Sequence, residues 1–334
     1  MIAAALTAAT LGAAPAGAQA FQQHKQLTLV IAGSVGSAYN SYGRVLARYM
    51  KRHIAGEPDI IVKNMHGAGG DLATEYMNAQ APKDGSMLFL LTAGSLMDPL
   101  LNPARFKYDP RKFEYLGTMN QDTRVCMTAA SSPVKTFADA QTRQAIIAGT
   151  QPGSSTVDHP LMLNALAGTK FKLVQGYKGT TEAMLAIDRG EAEGMCTVLT
   201  SVVTMRPQWL TAGEANMLMY IAINPAKEVA TYKIPSIFEL VSAEVRPLME
   251  MIATPQVFGR PVLLPAGTPA AQVNPLREAF MATMKDPEFL KEADKTDVEI
   301  SPLDGESVAA LVTKIYSAPR EMVDRMAKAM KPGS

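Results

Sequence analysis

Beyond residue 26 the chain alternates short unbroken apolar runs with longer stretches of helical periodicity. Leu27-Thr28-Leu29-Val30-Ile31-Ala32 is the first run; Gly33-Ser34-Val35-Gly36 ends it, and Tyr42, Val45, Leu46 and Tyr49 then recur at helical spacing. Ile60-Ile61-Val62 predicts a second strand, after which Gly67-Ala68-Gly69-Gly70 opens a helix carrying Leu72, Tyr76 and Met77, and Met87–Leu91 predicts a third strand. Strands separated by helix-length segments indicate βαβ units, and strands that are apolar throughout suit a parallel sheet covered on both faces.

The pattern resets near Arg124. Val125-Cys126-Met127, Ala145–Ala148, Phe171–Val174 and Ala192–Thr197 predict a second set of strands with helices between them, and Leu218–Ala222 leads through Pro225 into a helix-rich tail. The expected fold class is therefore α/β, in two lobes with a mostly parallel sheet in each. Residues 27–122 plus 224–334 would form lobe one and 123–223 lobe two, with crossings at the strand 124–129 and near 222–225. A length of 334 residues supports two cores better than one.

The first twenty residues carry a different pattern. An Ala-rich apolar run from Met1 ends in Ala18-Gln19-Ala20, the small-x-small signature of a secretory signal peptide cleaved after Ala20, although no basic residues precede the run. Elsewhere no apolar run reaches the roughly 18 residues of a membrane span. The mature protein is expected to be soluble outside the cytoplasm. Lys and Arg number 32 against 31 Asp and Glu, with no block of like charge, which argues against a nucleic-acid surface. Cys126 and Cys196 form no metal or redox motif; export would permit a disulfide, but buried thiols on strands are the expectation.

Candidate chemistry lies in four strand-to-helix turns built from small and hydroxyl residues: Gly33–Ser37, His66–Gly70, Gly149–Thr156 and Tyr177–Thr181. Ligands of open α/β sheets bind beyond the carboxyl ends of the strands, where such turns gather. Glycine lets backbone N–H groups approach a ligand, and each helix N-terminus carries about half a positive charge. Any one turn could be merely a well-capped turn; four of them in two lobes predict a binding cleft. The motifs of hydrolases, phosphate-loop enzymes, dinucleotide-binding enzymes and zinc proteases do not occur, so no catalytic residue, cofactor or metal is expected. The four histidines (His24, His53, His66, His159) stand singly, His66 and His159 beside two of the turns. The 21 methionines are spread along the chain as core filler.

Taken in order, the turns resemble a known family, the substrate-binding proteins of tripartite tricarboxylate transporters (the Bug, or tricarboxylate-receptor, family). The resemblance rests on Gly33-Ser34 with Tyr39–Arg44, on Asn64–Gly70, on Ala81–Gly85, on Gly176–Thr180 and on Gly190–Gly194. It implies a periplasmic-binding-protein fold of the Venus flytrap, type II-like kind, a periplasmic monomer, an organic-acid ligand, and membrane transporter subunits as partners. The ligand set it implies is Ser34, Ser37, Tyr39, Asn40, His66, Gly69, Gly70, Ala93 and Ser95 from lobe one, with Ser154, Ser155, Thr156, Lys178, Gly179, Thr180 and Thr197 from lobe two. Uncharged donors of Gly153–Thr156 and Lys178–Thr180 would hold one ligand carboxylate. The chain departs from the family pattern at Ser37 and Ala38, where glycines are usual, at Asn40 for an Asp, and at His66 for a Pro. His66, at a helix start, would then bring a pH-dependent contact into the cleft. No cysteine follows the signal, so no lipid anchor is expected. A sensor of the same fold is one alternative; an enzyme is another, and it would need a perturbed acid or base in the cleft, with His66 or Lys178 the candidates.

Overall fold

The computed structural model describes residues 24–151, 154–296 and 298–329; the proposed signal and Gly153 lie outside the described residues. In chain order the strands are β1 (Gln26–Ile31), β2 (Asp59–Asn64), β3 (Met87–Leu90), β4 (Glu114–Thr118), β5 (Arg124–Ala129), β6 (Gln144–Gly149), β7 (Lys170–Gln175), β8 (Gly194–Val198), β9 (Ala215–Ile221), β10 (Pro261–Leu264) and β11 (Leu303–Asp304). The helices of the first half are α1 (Ala38–Met50), α2 (Asp71–Ala79), α3 (Ala93–Leu101), α4 (Phe137–Thr142), α5 (Ser155–Ala167), α6 (Thr180–Asp188), α7 (Leu199–Met205) and α8 (Pro207–Thr211). Those that follow are α9 (Lys227–Thr231), α10 (Ile237–Leu240), α11 (Arg246–Val257), α12 (Ala270–Thr283), α13 (Pro287–Lys295), α14 (Gly305–Tyr316) and α15 (Arg320–Ala329).

Two sheets form, in the order β11-β4-β10-β3-β1-β2 and β7-β6-β8-β5-β9. β2–β1–β3 and β7–β6–β8 pair in parallel, as their continuous apolar character predicts. Each sheet is nevertheless mixed. β10 lies antiparallel to both β3 and β4, and β5 lies antiparallel to both β8 and β9. The reversed strand is in each case the one that enters from the other lobe, so no crossover helix forces it into the parallel direction. Apart from β10, β5 and the short β11, the strands of each sheet share one direction.

Both faces of β1 are buried, and its alternation sorts the side chains. Leu27, Leu29 and Ile31 pack beneath α1 with Tyr42, Val45, Leu46 and Met50, while Val30 joins Phe89 and Ala73 on the opposite face. α1 lies so close to the sheet that a Cβ at Gly43 would strike the Ile31 side chain. Leu276, Phe280 and Met284, from the tail, belong to the same core as Leu27 and Leu29. In the second sheet Val125 and Met127 pack with Ala183, Met184, Ile187 and Trp209.

The chain leaves β4 for β5 through residues 119–123, and this link is hydrogen-bonded to the returning chain. Asn224 Nδ2 donates to Gln121 Oε1 at 2.7 Å, Ala226 N to Thr123 Oγ1 at 2.8 Å, and Asp122 N to Gln256 O at 2.9 Å. The return takes longer than the sequence suggests: Val229 and Ile234 pack with the second sheet, and the chain rejoins the first only at β10. Those residues were assigned above to lobe one; the apolar side chains of α9 and the strand-like bridge of Ser236 to Tyr220 hold them to β9 instead.

The expectation of free thiols is corrected. Cys126 and Cys196 form a disulfide across 70 residues of sequence, because the β5–β8 register places the two residues directly opposite.

Candidate functional site

The carboxyl ends of the parallel strands meet between the lobes, and the turns that follow them lock together by hydrogen bonds. Ser37 caps α1, accepting from Asn40 N, and its own hydroxyl hydrogen goes to Ser34 O at 2.7 Å. Asn64 Nδ2 donates to Gly33 O at 2.8 Å, joining the first two turns. Thr92 caps α3 and donates to Gly69 O at 3.0 Å, with Ser95 Oγ 3.0 Å away, joining the second turn to the third. Gly70, at φ 115°, sits so near Thr92 that an added Cβ would come within 2.8 Å of its Oγ1, so this junction needs glycine. In the second lobe the hydroxyls of Thr150, Ser154 and Thr156 lie 2.8–2.9 Å from one another, and Thr156 Oγ1 accepts from Thr150 N.

Below these turns lies an inter-lobe cavity of about 310 Å³. Tyr39, Ala93 and Met97 line it from the first lobe, and Arg124, Ser155, His159 and Met162 from the second. α11 contributes Met251, Ile252 and Gln256, the step into β10 contributes Arg260, and α15 adds Met326. α15 packs on both α3 and α5, which brings Met326 to the cavity wall.

Of the residues expected to bind, Tyr39, Ala93 and Ser155 line this cavity. Ser34 and Ser37 are in the first turn above it; Asn40 is buried and accepts from Arg44 Nε at 3.0 Å. His66 is exposed and outside the lining, as is Lys178, whose backbone N–H is used by Glu182; Gly179 and Thr180 begin α6 beside it. Gly69, Gly70, Ser95, Ser154 and Thr156 are held in the turn networks, and Thr197 is buried in β8 opposite Val125.

The charged groups of the cavity were not legible as a site. Arg124, on the first residue of β5, donates from Nη2 to Asp122 Oδ2 and from Nη1 to Ser155 Oγ, both at 2.8 Å. Arg260 donates from Nη1 to Gly259 O at 2.6 Å, and its guanidinium carbon lies 4.3 Å from the Tyr39 ring centroid and 4.7 Å from that of Tyr42. No carboxylate pairs with Arg260 among the described residues. Burial raises the Tyr39 hydroxyl above its ordinary value although Arg260 opposes the shift. His159 is buried in α5; desolvation, reinforced by Arg124, pushes it down to about 3, so the ring is neutral.

Four cavity-lining side chains hold a buried polar atom without a hydrogen-bond partner: Arg124 Nε, Arg260 Nε, His159 Nδ1 and Gln256 Oε1. Buried polar groups are nearly always satisfied, so such a cluster around one cavity marks where a ligand would complete the bonding. A few convergent polar groups on an otherwise apolar, methionine-rich wall are the composition of a small-molecule binding site. Sequence alone offered one signal for them: Arg124 opens a strand at the lobe boundary, and Gly259-Arg260-Pro261 precedes another. Nothing in the sequence showed that the two positions, far apart in the chain, face one cavity.

Comparison with known proteins agrees with this architecture. The chain matches the family described as Tripartite tricarboxylate transporter family receptor (TctC) over residues 43–326. It is 27% identical over 336 residues to a UPF0065 protein encoded in the gbd 5' region of Cupriavidus necator, covering 97% of this chain and 95% of that one. Among solved structures, a ligand-free TctC solute-binding protein from Polaromonas is similar with a TM-score of 0.71 at 18% identity, covering 90% of this chain and 98% of that one. MatC from Rhodopseudomonas palustris, solved with malate, has a TM-score of 0.56 at 19% identity over 92% of this chain and 99% of that one. A second R. palustris protein, Rpa4515, solved with adipate, has a TM-score of 0.57 at 19% identity over 91% and 97%. The match across most of the chain and the two-lobed fold together place this protein in the TctC family of solute-binding receptors, which are binding proteins and not enzymes.

Proposed function

We propose that this receptor works in the periplasm, captures a small organic acid in the cavity between its lobes, and delivers it to the membrane subunits of a tripartite transporter. The observation that carries the reading is the pair of unpartnered guanidinium Nε–H donors of Arg124 and Arg260 on one inter-lobe cavity. Hydrogen bonds from a guanidinium to a carboxylate are about twice as strong as neutral ones, and the apolar wall keeps competing water out. Carboxylates in similar structures, malate in one and adipate in another, support the ligand class. Tyr39 and Ser155 add hydroxyls to the same lining, and the receptor acts as a monomer.

Export rests on the Ala18-Gln19-Ala20 signal, and the Cys126–Cys196 disulfide suits the oxidising compartment that export would reach. Among the described residues no helix is long and apolar enough to cross a membrane. The test is a thermal-shift panel of mono-, di- and tricarboxylates: a ligand at 100 times its Kd stabilises by about 2.7 kcal/mol. At least one small carboxylate should raise the Tm; a panel in which none does, with sugars or cations shifting it instead, overturns the ligand class.

A further inference from the structure

Arg260 is held by two aromatic rings, and one of them lies outside the cavity lining. Tyr39 and Tyr42 stand three residues apart on α1, a spacing that puts both side chains on one helix face. The guanidinium carbon of Arg260 lies over both rings, 4.3 Å from one centroid and 4.7 Å from the other. Tyr39 belongs to the lining; Tyr42 does not, and it is buried behind it. Each ring is fixed by its hydroxyl, which donates to Gly259 O at 3.3 Å from Tyr39 and to Glu299 O at 3.0 Å from Tyr42. The backbone that carries the arginine is fixed as well. Arg260 N donates to Thr118 Oγ1 at 3.1 Å, and Gly259 packs so closely on Asn120 that an added Cβ would come within 2.6 Å of its Oδ1.

The rings resolve a conflict in the site. A half-buried guanidinium needs negative potential beside it, yet a carboxylate placed there would occupy the donors that a ligand must use. The carboxylates in the same field are engaged elsewhere, Asp122 with Arg124 at 2.8 Å and Glu299 with Thr200 Oγ1 at 2.6 Å. A ring face attracts the cation without taking up a conventional hydrogen bond. Among the described residues Arg260 Nη1 donates to the Gly259 carbonyl, while the buried Nε–H has no partner. We infer that Tyr42 is a positioning residue for ligand capture: without touching the ligand, its ring and that of Tyr39 hold the Arg260 guanidinium in place and leave its Nε–H for the ligand carboxylate. This rests on the carboxylate-receptor reading and adds to it a residue behind the cavity wall. Tyr42 acts through Arg260, so its contribution to affinity exists only while the guanidinium is there.

The experiment is a double-mutant cycle on the full mature protein, read by calorimetric titration with malate, adipate or the tightest acid of the thermal-shift panel as probe. Tyr42→Leu should weaken binding about three- to tenfold, whereas Tyr42→Phe, which keeps the ring and loses only the hydroxyl, should stay within about twofold of the wild type. In an Arg260→Met background Tyr42→Leu should weaken binding no further. A loss of the same size in both backgrounds means that Tyr42 supports the fold in general; it overturns the inference and leaves the receptor reading standing. A second measurement needs neither a ligand nor the Leu variant. In proton–nitrogen correlation spectra of the ligand-free wild type, the Nε–H signal that disappears in Arg260→Met should be displaced upfield by the two rings. A signal at the ordinary arginine position likewise overturns the inference alone. If Arg260→Met binds the probe as tightly as the wild type, or no acid of the panel binds, the carboxylate reading falls and the inference with it.

Discussion

His159 provides a stability prediction whose size follows from its surroundings. Burial and the neighbouring Arg124 hold the imidazole at about 3 in the folded protein, against an ordinary value of 6.5. A group depressed on folding is neutral in the native state where the unfolded chain already binds a proton. Its contribution is therefore complete above pH 6.5 and is lost as pH falls toward 3, with a slope of about 1.4 kcal/mol per pH unit. Between pH 7.5 and 5.0 the loss comes to about 2 kcal/mol. Asp98 works in the opposite sense: raised to about 6, it is more easily protonated folded than unfolded, so it adds stability as pH falls below 6. The two are separated by difference. Denaturant unfolding of the ligand-free protein and of His159→Gln at several pH values should give a gap between the two stabilities that changes by about 2 kcal/mol from pH 7.5 to 5.0, the wild type losing more. Parallel pH profiles would show that the ring titrates normally in the fold, and the burial argument would be wrong.

Three further outcomes are expected. Replacing Cys126 and Cys196 together by Ala opens a loop spanning 70 residues of sequence, and the chain-entropy estimate of the loss is about 4 kcal/mol, read from the shift in denaturation midpoint; an unchanged midpoint would contradict it. Arg124→Met leaves the Asp122 carboxylate with the Asn120 amide but without its ion-pair partner, in a setting where that side chain is 14% exposed, so it should weaken ligand binding and also lower stability by about 1–3 kcal/mol, whereas Ser155→Ala removes only one acceptor and should lower stability less. Mass spectrometry of the exported protein should find a mature N-terminus at Phe21, and a periplasmic product that keeps residues 1–20 would count against the signal assignment.

Much of the architecture was legible because it is written in local pattern. Unbroken apolar runs such as Leu27–Ala32 predict covered parallel strands, and β1 buries both faces as they require. The turns were legible for the same reason, since Ser37, Thr92 and the glycines of 67–70 serve caps and close approaches that involve few residues. What failed to show depends on register and on distant pairing. The Cys126–Cys196 disulfide exists because β5 enters the second sheet reversed beside β8, which no local pattern announces. Val229 and Ile234 fall on the second sheet because β9 captures the chain after it leaves the strand. The charged groups of the cavity are the clearest case. Single arginines at strand starts look like ordinary surface residues until the fold brings Arg124 and Arg260 to one cavity wall. The conspicuous His66 and Lys178, at turns with strong local signatures, are exposed and lie outside it.

In the function proposed above, the inter-lobe cavity holds a carboxylate through the guanidinium Nε–H groups of Arg124 and Arg260 that lack a hydrogen-bond partner. Arg260→Met tests it most directly, because this arginine has no ion-pair partner among the described residues and methionine preserves most of its bulk against Tyr39. Calorimetric titration of the best carboxylate into both proteins should show 1:1 binding to the wild type. A charge-assisted hydrogen bond is worth about 1.5–3 kcal/mol, so the variant should bind more weakly by a factor of at least about 10 while keeping its unfolding midpoint within a few degrees. Equal affinity in the two proteins would place the ligand elsewhere and contradict the account.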